Sequence, residues 1–381
     1  MASNIIYLLL PLMTPLAFFL AAQITYDHGV LGLLGYSSMW ALSFIVFYFT
    51  QNRKPVAIQD PILRSAIKGV YIIEVIFCIF LVLKIILTET DFIYMTLIHI
   101  VLMATVPLFV FYLYKFNPKL VAVATVLLGI AISFLIPTLV YLKVSIPTVY
   151  SGIHFLYTEL LRFDRPATWL LVASLGVLLV ARQYLYRMVD IHHKEQARFV
   201  PYLIAAIISS IVMISFGAIS FLGRAQAVLP DLSDRVSIQV INRFGGQFAQ
   251  ILFMSITIFM IFFIFIKLWE SLKGKSNKYN PWLIGICILI PGLVVPYANI
   301  TLLDAFLYFG LFWSPLCGLI AVPVSSIYQT RISFIFGLCI GLLVGLVFTI
   351  PLGILGGACS SFLLAAVLVL FGPVEQKNFQ L

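Results

Sequence analysis

The chain has 381 residues, 62% of them hydrophobic and only 10% charged, where a soluble domain carries about a quarter of its residues as charges. That balance excludes a water-soluble fold. The formal charge of +9 arises from 23 Lys and Arg against 14 Asp and Glu. These cations are spread over many short connections, which suits anchoring on an anionic membrane face and argues against a nucleic-acid partner.

The apolar residues fall in runs of roughly 20, the length a helix needs to cross about 30 Å of hydrocarbon. The fold class is therefore all-α, a polytopic membrane helix bundle. Runs between polar punctuation predict spans at 5–24, 30–50, 66–88, 92–114, 120–142, 167–185, 200–222, 245–266, 282–303, 305–323, 332–350 and 354–372. The count is twelve, or eleven if 332–372 holds a broken helix and a re-entrant piece. The first run lacks a basic n-region and a small-residue cleavage site, so it is expected to stay in the mature protein. Dividing near residue 190 gives two six-span halves, 1–190 and 191–381, without a residue-level repeat.

Alternate connections differ in charge. Segments 51–65, 115–119, 182–198, 267–278 and 324–331 hold 14 Lys or Arg, whereas the intervening connections hold 6. The bias places the richer set, and with twelve spans both termini, in the cytoplasm, with a bacterial inner membrane as the expected location.

In chain order, the first irregularity is in the opening span, where Pro11 and Pro15 bracket Thr14 and Gln23 follows; a helix break is expected there. Glu74 lies deep in the third span, where a carboxylate is costly and implies a proton, cation or substrate site, or a structural pair with a basic or hydroxyl group of a neighbouring helix. His99 in the fourth span titrates near neutrality in its ordinary state and is a second candidate. The outward loop 143–166 has apolar residues at helical spacing, which predicts an interfacial helix over 150–163. It also carries His154, Arg162, Asp164 and Arg165. The next long loop carries Arg224, Asp231, Asp234, Arg235 and Arg243.

The eighth span opens with Gly245 and Gly246, followed by Gln247 and Gln250, three apart and hence on one helical face. The densest exception to ordinary helix composition follows at 289–304. There Pro291 and Pro296 remove donors, and Tyr297, Asn299, Thr301 and Asp304 supply polar groups for a discontinuous helix of the kind that binds solutes in transporters. Gly337, Gly341 and Gly345 form a small-residue ridge in the eleventh span. Its mate is within the chain or on another protomer, so a homo-oligomer or a membrane complex stays open.

Five cysteines lie in apolar runs without metal-ligand spacing, and no Walker loop, Rossmann fingerprint or HExxH occurs. No cofactor or metal is expected, beyond H+ or Na+ as a coupling ion. The leading reading is a secondary transporter of a small polar or organic solute, with Glu74, His99, Tyr297 and Asn299 at the site and Thr14, Gln247, Gln250 and Asp304 as secondary candidates. Two alternatives stand beside it. One is a membrane-embedded enzyme for lipids or lipid-linked sugars, using His154, Arg162, Asp164, Arg165, Arg235 and Arg243 to hold phosphate and move protons. The other is a noncatalytic subunit of a membrane complex. Membrane lipids are partners in every case.

Overall fold

The computed structural model describes residues 2–10, 13–50, 60–88, 93–189, 198–272, 293–295, 297, 299–322 and 326–371. They form an all-α membrane bundle in which, among the described residues, nine helices are long and apolar enough to span. In chain order the α-helices, long and short, are α1 (Ala2–Leu9), α2 (Pro15–Thr50), α3 (Pro61–Thr88), α4 (Ile93–Phe116), α5 (Pro118–Tyr141), α6 (Ile146–Leu156), α7 (Pro166–Val189), α8 (Val200–Gly217) and α9 (Ile219–Ala225). Then come α10 (Val236–Val240), α11 (Gly246–Leu272), α12 (Leu302–Ala321), α13 (Ile327–Val347) and α14 (Ile350–Phe371).

Proline punctuation explains several starts. A proline at the first helical position has no N–H to leave unpaired. Pro118 follows Asn117, whose side chain accepts from the Leu120 amide at 3.1 Å. Pro61 follows Asp60, which accepts from the Ile62 amide at 3.0 Å.

The nine helices and the twelve predicted spans describe one chain differently. The first predicted span, 5–24, runs from α1 across the break into α2, and the second, 30–50, completes the 36 residues of α2, which is not one straight helix. Gly29 has φ 68° and ψ −148°, and a Cβ there would lie 2.1 Å from the Leu160 carbonyl oxygen. Only glycine meets both conditions. The chain turns back at this point, for the Tyr36 hydroxyl lies 3.5 Å from the Ala17 carbonyl, whereas nineteen residues of straight helix would put them almost 30 Å apart. The predicted 92–114 span is α4. Most of the predicted 282–303 span lies outside the described residues, as do Pro11, Pro291 and Pro296.

The end of the chain is settled as two helices. α13 and α14 pack through glycine, and the mate of the predicted ridge is within the chain: a Cβ on Gly341 would meet the Gly353 carbonyl at 3.0 Å, and one on Gly337 would meet that of Gly357 at 2.7 Å. Such approach replaces the hydrophobic drive that lipid cannot supply with dispersion between backbones.

A short layer lies across the turn end of the bundle. The 150–163 expectation meets α6 and a 3-10 turn, Thr158–Leu161. The turn packs on Gly29, and Gly152 of α6 lies against Ala225 of α9. Among the described cysteines, Cys78, Cys317, Cys339 and Cys359 are free thiols.

At the opposite end of α3, the Asp60 carboxylate receives both Nε and Nη2 of Arg331 from α13. These hydrogen bonds, foremost among the causes, hold the Asp60 carboxyl down at about 2. A depressed carboxyl stabilises the fold above its ordinary range and loses that contribution as pH falls through about 2.

Two stability predictions follow from this packing. Gly353→Ala forces a methyl into backbone and should cost about 1–3 kcal/mol, whereas Gly356→Ala, whose Cβ would find its nearest atoms at 3.7 Å, should leave the Tm of the detergent-purified protein almost unchanged. Asp60→Asn should lower Tm by a constant amount from pH 5 to 8, with the difference shrinking only below pH 4; a difference that varied across pH 5–8 would contradict the assigned carboxylate.

Candidate functional site

Glu74 stands thirteen residues after Pro61 and fourteen before Thr88, so it is at the middle of α3. It is fully buried. Its partner comes from α7, where Arg182 donates from Nη1 to Glu74 Oε1 at 3.1 Å. The other carboxylate oxygen, Oε2, is buried and has no hydrogen-bond partner among the described residues. Arg182 is also held by aromatic faces: its guanidinium carbon lies 5.8 Å from the Tyr71 ring centre and 5.2 Å from that of Phe306 in α12. Cation–π contacts of this kind gain strength where water is excluded.

Arg182 corrects the sequence reading. It was counted with the cytoplasmic-side connection 182–198, yet it is inside the bundle, because α7 continues through Gln183 and Tyr184 to Val189. Gln183 donates to the Ser43 hydroxyl at 3.3 Å, and the Tyr184 hydroxyl donates to that of Thr50, which ties this stretch to the second arm of α2. The charge tally then reads 13 against 6, with its direction unchanged. Two signals pointed to Arg182: the predicted span 167–185, which already contains it, and the need of a deep carboxylate for a cation.

The break in the first span sits against the pair. α1 ends at Leu9, α2 begins at Pro15, and Thr14 accepts from the Ala17 amide at 3.4 Å to cap α2. Thr14 and Arg182 share two spots. The first is a small cavity with Val75, Cys78 and Ile261; the second, with Tyr36, Trp40 and Phe306, is closely packed. The first has a volume of about 20 Å³, room for about one water. The N-terminus of α2 and a guanidinium both favour negative charge, and Glu74 provides it.

The 293–304 stretch is placed elsewhere. Lys84, ten residues beyond Glu74 on α3 and so about 15 Å along the axis, donates to the Val295 carbonyl at 3.2 Å. Tyr297 is 89% exposed and Asn299 is exposed as well, so neither shares the buried setting of Glu74. Residues 299–301 are not helical and lead into α12, while Pro291 and Pro296, on which the predicted discontinuity centres, lie outside the described residues. Distant side chains cap that helix: the Leu302 amide donates to Asp234 at 2.9 Å and the Leu303 amide to Gln23 at 3.0 Å. Thr301 and Asp304 bond each other, with the Thr301 hydroxyl 2.7 Å from the Asp304 carboxylate.

The break before α11 is a π turn, Ile241–Gly245, ending at Gly246 with φ 78°. Gln250 is buried but Gln247 is exposed, so the two do not share an environment as their spacing suggested. His99 is in α4, and its side chain lies outside the described residues. The loop charges engage close neighbours: His154 stacks on Tyr150, with ring centres 5.7 Å apart, and Arg235 is 3.7 Å from Asp231. Arg243 lies 5.5 Å from the Phe244 ring centre, while Arg162 and Asp164 are exposed and Arg165 is half-buried. Among the described residues no group of three His, Cys, Asp or Glu side chains could hold a metal.

No family model matches the sequence, and no curated protein matches it. A solved structure does: that of Mhp1, a nucleobase-cation-symport-1 family transporter, in a closed conformation with bromovinylhydantoin bound. The likeness has a TM-score of 0.50 and covers 95% of this chain and 90% of that one at 12% identity. At that identity it shows a shared fold.

Removing one member of a buried ion pair strands the other, at a cost of about 3–5 kcal/mol. Glu74→Ala and Arg182→Ala should each lower stability by that order, while Glu74→Leu combined with Arg182→Met should cost less than either single change. Thermal unfolding of the four proteins in one detergent checks this; additive losses would contradict the pairing.

Proposed function

We propose that the chain is a secondary transporter of a small polar or organic solute bearing an anionic group, driven by a proton or sodium gradient. The observation that carries this reading is the Arg182–Glu74 pair, buried at mid-span against a break in the first helix. A discontinuous helix offers its free end to a charged solute group, an arrangement suited to alternating access. The shared fold supports the reading, because the similar structure is that of a transporter. Its ligand, bromovinylhydantoin, supports a small organic molecule as the size class.

The charges suggest how coupling works. Arg182 keeps its proton at any physiological pH, so a neutral Glu74 would leave a bare cation in hydrocarbon, which is costly. A solute anion arriving together with a proton on Glu74 restores the balance. Release of both returns Glu74 to Arg182. Neither state holds an unmatched buried charge, and a half-loaded state does, so the energetics penalise slippage.

Twelve crossings, both termini in the cytoplasm and placement in a bacterial inner membrane complete the proposal. The two six-span halves would be the bodies that move against each other, and His99, Tyr297 and Asn299 belong to the path rather than to the ion pair. The enzyme reading receives less support, because its loop charges do not line the cavity beside Arg182.

The test is uptake into proteoliposomes across a panel of labelled carboxylates, amino acids and heterocycles, with lumenal pH followed by a trapped dye. At least one solute should accumulate under an imposed proton or sodium gradient. Glu74→Gln should lose gradient-driven accumulation by tenfold or more while retaining exchange. Unchanged accumulation and cation dependence in Glu74→Gln would overturn the assignment.

A further inference from the structure

Trp40, on the second arm of α2, is 2% exposed. Its Nε1–H is buried and has no acceptor among the described residues; the Tyr36 hydroxyl is beside it but completes no hydrogen bond with it. A buried indole N–H ordinarily has a partner, so this one marks a place where an acceptor atom belongs. Trp40 meets Thr14, Tyr36, Phe306 and Arg182 in the closely packed spot, and Thr14 and Arg182 reach from there into the small cavity. The Thr14 oxygen accepts from the Ala17 amide, which leaves its hydrogen to donate.

The small cavity has one polar corner and an aliphatic body. Arg182 and Thr14 form the corner, while Leu16, Val75, Ile79, Val82, Ile261 and Ile264 form the body. Glu74 lines neither the cavity nor the packed spot, so a molecule seated there meets a cation and donors but no carboxylate. An anionic group is matched by Arg182. An ammonium on the same molecule would be buried against hydrocarbon without an acceptor, which is costly. Size narrows the class further. A solute that replaces Glu74 at Arg182 puts its carboxylate where that of Glu74 was, and only its tail needs the cavity. A volume of about 20 Å³ is room for about one water, hence for a tail of about one or two carbons.

We propose that the solute is a short aliphatic monocarboxylate of the size of acetate or propionate, without an amino group, and that Trp40 binds it. The carboxylate takes donors from Arg182, Thr14 and Trp40 Nε1, and the tail lies against Val82 and Ile261. This rests on the transport reading, in which a solute anion and a proton displace Glu74 from Arg182, and it names the solute class of that same site. The Trp40 ring packs on Tyr36 and Phe44, with ring centres 6.4 Å away in each case, so the donor is held ready before the solute arrives.

The experiment is isothermal titration calorimetry of the full chain in detergent with four probes: propionate, β-alanine, which adds an ammonium, propionamide, which removes the charge, and hexanoate, which lengthens the tail. Propionate should bind, and the other three should each bind at least tenfold more weakly. Trp40→Phe keeps the ring contacts and removes the N–H, so it should weaken propionate by about tenfold, the order of a hydrogen bond to a charged group, with Tm almost unchanged. Ile261→Ala lengthens the tail space and should move the preference towards hexanoate; Val82→Ala does the same if the first variant fails to fold. Propionate that does not bind, β-alanine that binds as well, undiminished affinity in Trp40→Phe, or a length preference that both alanine variants leave in place would each overturn the proposal. The transport reading fails separately. A different solute accumulating through Glu74 in proteoliposomes keeps that reading and discards this class, whereas propionate bound through Trp40 with no solute accumulated keeps the ligand class and discards transport.

Discussion

A charge in hydrocarbon has to be matched, and in this chain that constraint acts through one pair. Either charge alone at the centre of a membrane helix costs about 3 kcal/mol on insertion scales, so Glu74 and Arg182 must meet. Their meeting fixes α3 against α7 at mid-depth. The guanidinium then takes Tyr71 and Phe306 as side walls, which brings α12 to the same level. Thr14 reaches Arg182 because the chain turns at Gly29, which sets the first arm of α2 back against the second.

The rest of the bundle separates mechanical work from this chemistry. Glycine contacts join α13 to α14, and similar close approaches join α2 and α12 to α7, as at Gly35 against Val172 and Gly310 against Leu178. Polar side chains away from the pair mostly close helix ends. Asp234 and Gln23 receive the first amides of α12, and Asp60 both caps α3 and holds Arg331. These are rigid attachments between segments distant in sequence.

How much was legible beforehand depended on the range of each signal. Membrane class, most spans, the break near Thr14 and the depth of Glu74 are local properties of length, composition and proline, and they could be read directly. The partner of Glu74 is 108 residues away, and a window average absorbs one arginine among apolar neighbours, so Arg182 passed for a connection residue. The glycine ridge was visible but its mate was not, since Gly353 and Gly357 acquire meaning only after α14 folds back. Tyr297 and Asn299 were grouped with Glu74 because all are polar residues at breaks or depth, and sequence carries no measure of the distance between them. The reversal near Gly29 was legible as the punctuation between the predicted spans 5–24 and 30–50, and what sequence did not carry was its contact with Leu160, 131 residues away.

The central claim is that the small cavity lined by Arg182, beside its pair with Glu74, opens to water in turn on each side of the membrane. Cys78 reports on it directly, being buried, one helical turn beyond Glu74 and part of the same small cavity. In a chain whose other cysteines are replaced by Ala, a small charged methanethiosulfonate reagent should modify Cys78 in sealed proteoliposomes from either face, and more slowly in the presence of a transported solute. A Cys78 that resists the reagent from both faces under every gradient, in a protein shown to be folded, would contradict the account.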